Sequence, residues 1–213
     1  MELIYYNVLA PASYVGLSKF KPKGYTKKQV RELLQSQDTY TLHKPTRRRF
    51  PRRRAVVYGI DHQWQADLVD MAKLSSYNIG FKYLLTCIDV LSRYSWVVPL
   101  TYKTGKALKD AFQVIFKSGR SIRLQTDKGT EFINRVFQKF LKEHDMHFFT
   151  TYNEETKASI LESVNRTLKS KMWKYFTHRE TLTYVDVLSE MVASYNHTVH
   201  RTLGIPPCRS HVG

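Results

Sequence analysis

An α/β fold, a mixed five-stranded sheet with helices on its faces, is what the order of elements predicts. Three observations carry it. Three consecutive strand patterns occupy residues 64–100. Helix and strand patterns then alternate, giving the order βββαβαβαα, which calls for both antiparallel and parallel pairing. Hydrophobic residues make up 42% of the 213 positions and aromatics 13%, enough for a packed core with a small appendage.

Residues 1–24 hold Pro11, Gly16, Pro22 and Gly24 without a sustained period and read as irregular. Thr26 and Gln29 have capping-box spacing, and Val30, Leu33 and Leu34 follow at helical spacing, so a short helix is expected near 27–37. Residues 1–43 thus form a small helical region. Residues 44–57 form a basic linker, because Pro45 and Pro51 oppose helix and central strand alike. Its arginines Arg47, Arg48, Arg49, Arg52, Arg53 and Arg54 can pair with phosphates, serve as a nuclear-import signal, or simply be solvated.

The main domain is expected over residues 58–207, with 208–213 a short tail. Trp64, Ala66 and Leu68 alternate with Gln65, Asp67 and Val69, giving a strand near 64–71. Residues 82–89 are a continuous apolar run and 94–100 are rich in aromatic and β-branched residues, with breaks at 78–80 and 91–93 short enough for hairpins. Thr104 opens a helix whose stripe is Ala107, Leu108, Ala111, Phe112, Ile115 and Phe116. A strand at 122–126 follows, then a helix over 131–143 with Ile133, Val136, Phe137, Phe140 and Leu141 inward. The strand 147–151 comes next. A long helix over about 158–176 buries Leu161, Val164, Leu168 and Met172, and a last helix over about 181–196 carries Val185, Leu188, Val192 and Tyr195.

The formal charge of +16 favours a polyanionic partner, nucleic acid before anionic membrane. No apolar stretch reaches spanning length, which argues against the membrane, and the N-terminus lacks a signal-peptide pattern. Two cysteines, Cys87 and Cys208, make neither a disulfide framework nor a four-cysteine zinc site, and Cys87 reads as a small core residue. Nucleus or cytoplasm remains.

Three acids stand at positions where chemistry is possible. Asp127 ends the strand in Leu124-Gln125-Thr126-Asp127-Lys128-Gly129-Thr130-Glu131-Phe132, before a glycine expected to tighten the turn at positive φ and a Thr130 expected to cap a helix. It can be a metal ligand or an ordinary turn residue. Asp67 lies on a covered strand and must sit near the sheet's end, matched by a cation. Glu162 shares its helix side with Asn165, Arg166 and Lys169, which reads either as metal and phosphate held together or as a surface ion pair. Three carboxylates suit phosphodiester chemistry. In-line displacement charges both the attacking and the leaving oxygen, and two divalent ions about 4 Å apart on hard oxygen ligands stabilise both.

Asp67 on the first strand, Asp127 after the fourth and Glu162 on a following helix resemble the DDE triad of retroviral integrases and related transposases. The phrases Trp64-Gln65-Ala66-Asp67-Leu68-Val69-Asp70, Leu85-Thr86-Cys87-Ile88-Asp89 and Asn165-Arg166-Thr167-Leu168-Lys169, with the stretch 124–132, are most similar to Maverick/Polinton-type transposon integrases. The resemblance implies an RNase H-like fold, two Mg²⁺ or Mn²⁺ ions on Asp67, Asp127 and Glu162, and 3′-end processing and strand transfer of DNA. It implies DNA contacts by Asn165, Arg166 and Lys169 and, more weakly, Lys157; transposon-end and target DNA as partners; a homo-oligomer; and a nuclear site of action. Asp70 and Asp89 are expected to be structural. His43 has no partnering cysteine pair, so no structural zinc is expected. Ser163-Val164 stand where a basic-aromatic pair is expected, and a truncated or a decaying copy both stay open. Two other readings stay open: a transposon-derived DNA-binding protein without catalysis, and an RNase H-type nuclease.

Overall fold

The computed structural model describes residues 2–11, 13–43, 57–150 and 159–207. The chain divides into two compact units, Arg53–Asn165 and a discontinuous one formed by Met1–Arg52 with Arg166–Gly213. The sequence placed divisions after residues 43, 57 and 207; by packing, the residues after 165 group with the N-terminal region. The arginines of the run 47–54, Lys157 and the tail 208–213 lie outside the described residues.

The first unit holds the sheet. Its strands are β1 (Gln63–Asp70), β2 (Tyr83–Asp89), β3 (Ser95–Leu100), β4 (Arg123–Thr126) and β5 (His147–Thr150), in the order β3-β2-β1-β4-β5. The pairs β1–β2 and β2–β3 are antiparallel, and β1–β4 and β4–β5 are parallel, as the predicted order requires. The β2–β3 turn is held by Asp89, fully buried, whose carboxylate accepts from the backbone N–H groups of Asp61 and Ser92. Asp70 accepts from the N–H of Ala72 at the end of β1, so both spare acids do turn work.

Alternation along β1 decides which face is dry. Trp64 and Ala66 join Leu85, Cys87 and Leu124 in one core with the helices α4 (Gly105–Ile115), α5 (Thr130–Ile133) and α6 (Arg135–Glu143). Phe112, Phe132, Phe137 and Phe140 fill it, with Phe112 and Phe137 rings 5.1 Å apart. Gln63, Gln65 and Asp67 face the other way.

The single helix expected over 131–143 is two helices. Asn134 adopts extended backbone (φ −56°, ψ 136°) and its side chain caps the N–H of Val136 at 2.9 Å. The break resets the helical phase, so Phe132 is buried whereas Ile133 (52% exposed) and Val136 (49%) face outward, against expectation. Gly105 fits here because a Cβ at that position would collide with the Asn134 side chain.

In the second unit the capping box on α2 (Lys27–Ser36) is present as expected, with Thr26 and Gln29 exchanging hydrogen bonds. Two short helices were not expected: α1 (Glu2–Tyr6) and α3 (Asp38–Thr41). Tyr5, Tyr14, Val15, Phe20, Val30 and Leu34 form a core of their own. The long helix α7 (Ser159–Arg179) contributes residues to both units, and its Leu161, Val164, Leu168 and Met172 are buried as predicted. The last helix starts later than expected: a 3₁₀ turn at Val185–Val187 precedes α8 (Leu188–Asn196), and the buried face is Leu188, Met191 and Ser194.

Candidate active site

Parallel pairing of β1 and β4 directs both strand segments toward Asp67 and Asp127. Gln63, Trp64 and Gln65 of β1 pair with Arg123, Leu124 and Gln125 of β4. The recorded pairing ends there, two residues short of Asp67 and Asp127 on their two strands; continued, the same register would set Asp127 opposite Asp67. The face is confirmed by the amides: Gln125 Oε1 accepts from Gln63 Nε2 at 2.8 Å and from Gln65 Nε2 at 3.0 Å. Because β4 ends at Thr126, Asp67 stands beyond the part of β1 that pairs with β4, though still paired with Thr86 of β2, and is only half-buried. Its carboxylate is aimed from two sides. Oδ1 accepts the N–H of Leu68 at 2.8 Å, and Oδ2 accepts Nδ2 of Asn165 on α7 at 3.0 Å. The hydrogen bond to Asp67 from α7 comes from the neutral amide of Asn165.

Asp127 is exposed and shaped by its own turn, where Oδ1 accepts the N–H of Gly129 at 3.0 Å. Gly129 has φ −57°, so its role is spatial and not the positive φ expected of it. A Cβ there would lie 2.9 Å from the Glu131 carboxylate and 3.0 Å from Asp127 Oδ1. Both carboxylates therefore flank one point. The N-cap of α5 is Gly129, and Thr130 is the first helical residue, without a capping bond, against expectation.

Glu162 is exposed in the first turn of α7, one turn before Asn165, so the helix that orients Asp67 also carries the third acid. The structure does not gather all three: among the described residues no group of three or more His, Cys, Asp or Glu is close enough to share an ion. Of the residues expected to meet DNA, Asn165 is spent on Asp67, and Arg166 and Lys169 are exposed further along α7. Sequence reasoning missed the amides of Gln63, Gln65 and Gln125 and the nearness of Glu131. The signal was there in the alternation, since every second residue of 63–67 is polar.

The donor set is one of hard oxygens, the kind Mg²⁺ or Mn²⁺ takes. Gln65 Oε1 and Asn165 Oδ1 are buried acceptors without a hydrogen-bond partner among the described residues, on the two side chains nearest Asp67 along its strand and across its hydrogen bond. Such orphaned acceptors are costly unless something electropositive meets them. Oxygen-rich surroundings beside Asp67 and Asp127 thus fit a divalent ion. No helix among the described residues is long and apolar enough to cross a membrane.

Residues 59–153 match the integrase core domain family. An uncharacterized transposon-derived protein of Caenorhabditis elegans is 34% identical over 139 residues, which is 64% of this chain and 48% of that protein. A Ty1 Gag-Pol polyprotein of Saccharomyces cerevisiae is 27% identical over 98 residues, 43% of this chain and 6% of the polyprotein. The chain thus spans about half of the first relative and a small part of the second. Among solved structures, the HTLV-2 integrase catalytic core domain in complex with magnesium superposes with a TM-score of 0.60 at 22% identity, covering 72% of this chain and 97% of that one. The simian T-cell lymphotropic virus intasome in complex with a PP2A regulatory subunit gives 0.65 at 21% identity, covering 89% and 68%. The fold is that of retroviral integrase catalytic cores, RNase H-like.

Proposed function

We propose that this chain is a metal-dependent polynucleotidyl transferase, which trims DNA 3′ ends and joins them to target DNA as the integrase of a Maverick/Polinton-type transposon. The observation that supports this best is the hydrogen bond that ties Asp67 to the helix bearing Glu162, together with a parallel β1–β4 register whose continuation would set Asp127 opposite Asp67. In the joining step a DNA 3′-hydroxyl oxygen forms a bond to a target phosphorus, and that phosphorus loses its bond to the target's own 3′-oxygen. Two Mg²⁺ or Mn²⁺ ions, held by Asp67, Asp127 and Glu162, would supply the charge that stabilises both oxygens. The chain's own part is orientation. Asn165 and the Leu68 N–H fix Asp67, and the Gly129 N–H fixes Asp127, so that neither carboxylate has to reorganise as charge develops.

The partners in this reading are transposon-end DNA and target DNA. Two ends must be joined together, and the HTLV-2 core occurs in dimeric and trimeric forms, so we take the active species to be a homo-oligomer. The basic run 47–54 would carry the protein into the nucleus, and with Lys157, Arg166 and Lys169 it would neutralise phosphates. The test is strand transfer on pre-cut ends. Wild-type protein should join them with Mg²⁺ or Mn²⁺, and Asp127→Asn or Asp67→Asn should lower the rate by about 100-fold or more. No nicking or joining by the wild type with either ion would end the reading.

A second reading rests on the absence of a three-acid cluster among the described residues together with the net charge of +16. In it the chain is a transposon-derived DNA-binding protein without catalysis. Salt-sensitive DNA binding that survives Asp127→Asn, with no joining by either protein, would select it.

A further inference from the structure

The unit formed by residues 1–52 and 166–213 contains a cavity of about 560 Å³ whose wall bears four cationic side chains, Lys19, Arg166, Lys171 and Lys174, and no acidic one. Lys19 and Arg166 are exposed, but Lys171 and Lys174 are only 3% and 5% exposed. Lysines so deep are ordinarily paired with carboxylates, because a buried ammonium without a counter-charge is strongly disfavoured. Among the described residues these two donate to neutral oxygens only. Lys171 Nζ donates to the Ser13 carbonyl at 2.8 Å, Ser13 Oγ at 3.2 Å and Ser194 Oγ at 2.9 Å. Lys174 Nζ donates to the Tyr14 carbonyl at 2.9 Å and stands 5.4 Å from the centre of the Tyr40 ring. An ammonium has three N–H groups, so Lys174 keeps donors for a further acceptor.

We propose that this cavity binds a phosphate-bearing anion of roughly nucleotide size, with Lys171 and Lys174 at its inner wall, Lys19 and Arg166 at its rim, and Tyr14 and Tyr40 offering aromatic surface. A free nucleotide and the terminal nucleotide of a DNA strand present the same chemistry. The anion supplies the negative charge that the fold leaves out. Burial holds Lys171 down at about 7 and Lys174 at about 8, with the neighbouring lysines adding to the effect on Lys171. An arriving anion restores their charge, so binding near pH 7.5 takes up protons. The other titratable groups in the wall are Lys19, Arg166, Tyr14, Tyr40 and Tyr195. Burial raises Tyr14 and lowers Lys19.

The experiment uses the full chain in EDTA, so that no divalent ion bridges phosphate to the carboxylates. Pyrophosphate, a nucleoside diphosphate and a 5′-phosphorylated oligonucleotide are titrated by calorimetry, in buffers of different ionisation enthalpy, against the wild type, Asp127→Asn and Lys174→Met. The expected result is saturable binding with net proton uptake, equal in Asp127→Asn, weakened at least tenfold in Lys174→Met and at least tenfold in the wild type between pH 7 and 9. Pyrophosphate or the diphosphate saturating this response identifies a free ligand; the oligonucleotide alone doing so identifies a DNA end. No binding to the wild type, binding without proton uptake, or a folded Lys174→Met that binds as tightly as the wild type would each overturn the proposal. Should Lys174→Met fail to fold, the proton-uptake and pH arms on the wild type decide alone. Asp127→Asn abolishes joining in the reading given above while leaving this binding untouched, so the two fail separately.

Discussion

Gly129 has no room for a side chain, and the reason is chemical. Its missing Cβ would press on the Glu131 and Asp127 carboxylates. Gly129→Ala should therefore lower strand transfer about tenfold or more while moving stability by less than about 1 kcal/mol, because the position is in a surface turn. Thermal unfolding and a joining assay on the same preparation separate the two effects. Asn165 acts through Asp67 and is a positioning residue. Asn165→Ala removes an amide bonded to a carboxylate, an interaction of about 1.5–3 kcal/mol, and frees Asp67 to turn. The expected signature is a fall in the joining rate with DNA affinity unchanged, partly restored in Asn165→Gln. Asp127 was legible as an acid at a strand end, and Asp67 as an acid on a covered strand. Asn165 was legible only as a polar residue beside Glu162, because nothing in a helical period says which strand a side chain will reach across to.

At the scale of elements, the sheet could be read from the chain because alternation and apolar runs report burial directly. Trp64, Ala66 and Leu68 point one way, and the predicted strands agree with β1 to β5 within a residue or two at their ends. The break at Asn134 could not. Residues 131–143 carry a helical period throughout, and only the close approach of Gly105 to Asn134 shows why the backbone must open there. The consequence is measurable. Phe132→Ala should destabilise by about 3–5 kcal/mol, whereas Ile133→Ala, on a residue half out in solvent, should cost less than about 1 kcal/mol. Urea midpoints in the reverse order would restore a single uninterrupted helix. The capping box on α2 was legible for the opposite reason, being written within four residues. Thr26→Ala should lower stability by about 1 kcal/mol.

For the whole molecule, the buried lysines set how stability follows pH. Folded Lys171 and Lys174 lose their protons well below the ordinary lysine value of 10.5, so unfolding takes protons up between about pH 7 and that value. Stability should rise with pH across this window. Tyr5 and Tyr14 act in reverse: burial raises them, unfolding releases protons above about pH 10, and stability should fall there. Urea denaturation should give a higher midpoint at pH 9 than at pH 7, and Lys171→Met should flatten the rise. Composition concealed these residues, since a lysine reads as a solvated charge until the helices around it are in place.

The unit that houses those lysines is built from two stretches separated by more than a hundred residues of intervening chain. On the ribosome the N-terminal stretch therefore emerges first and completes its packing late. The sheet unit can close once residue 165 is out, while Ser13 and Tyr14 still await Lys171, Lys174 and Ser194. A nascent chain of this kind leaves its first stretch short of its C-terminal partners for most of synthesis, which makes that stretch the natural landing place for a chaperone.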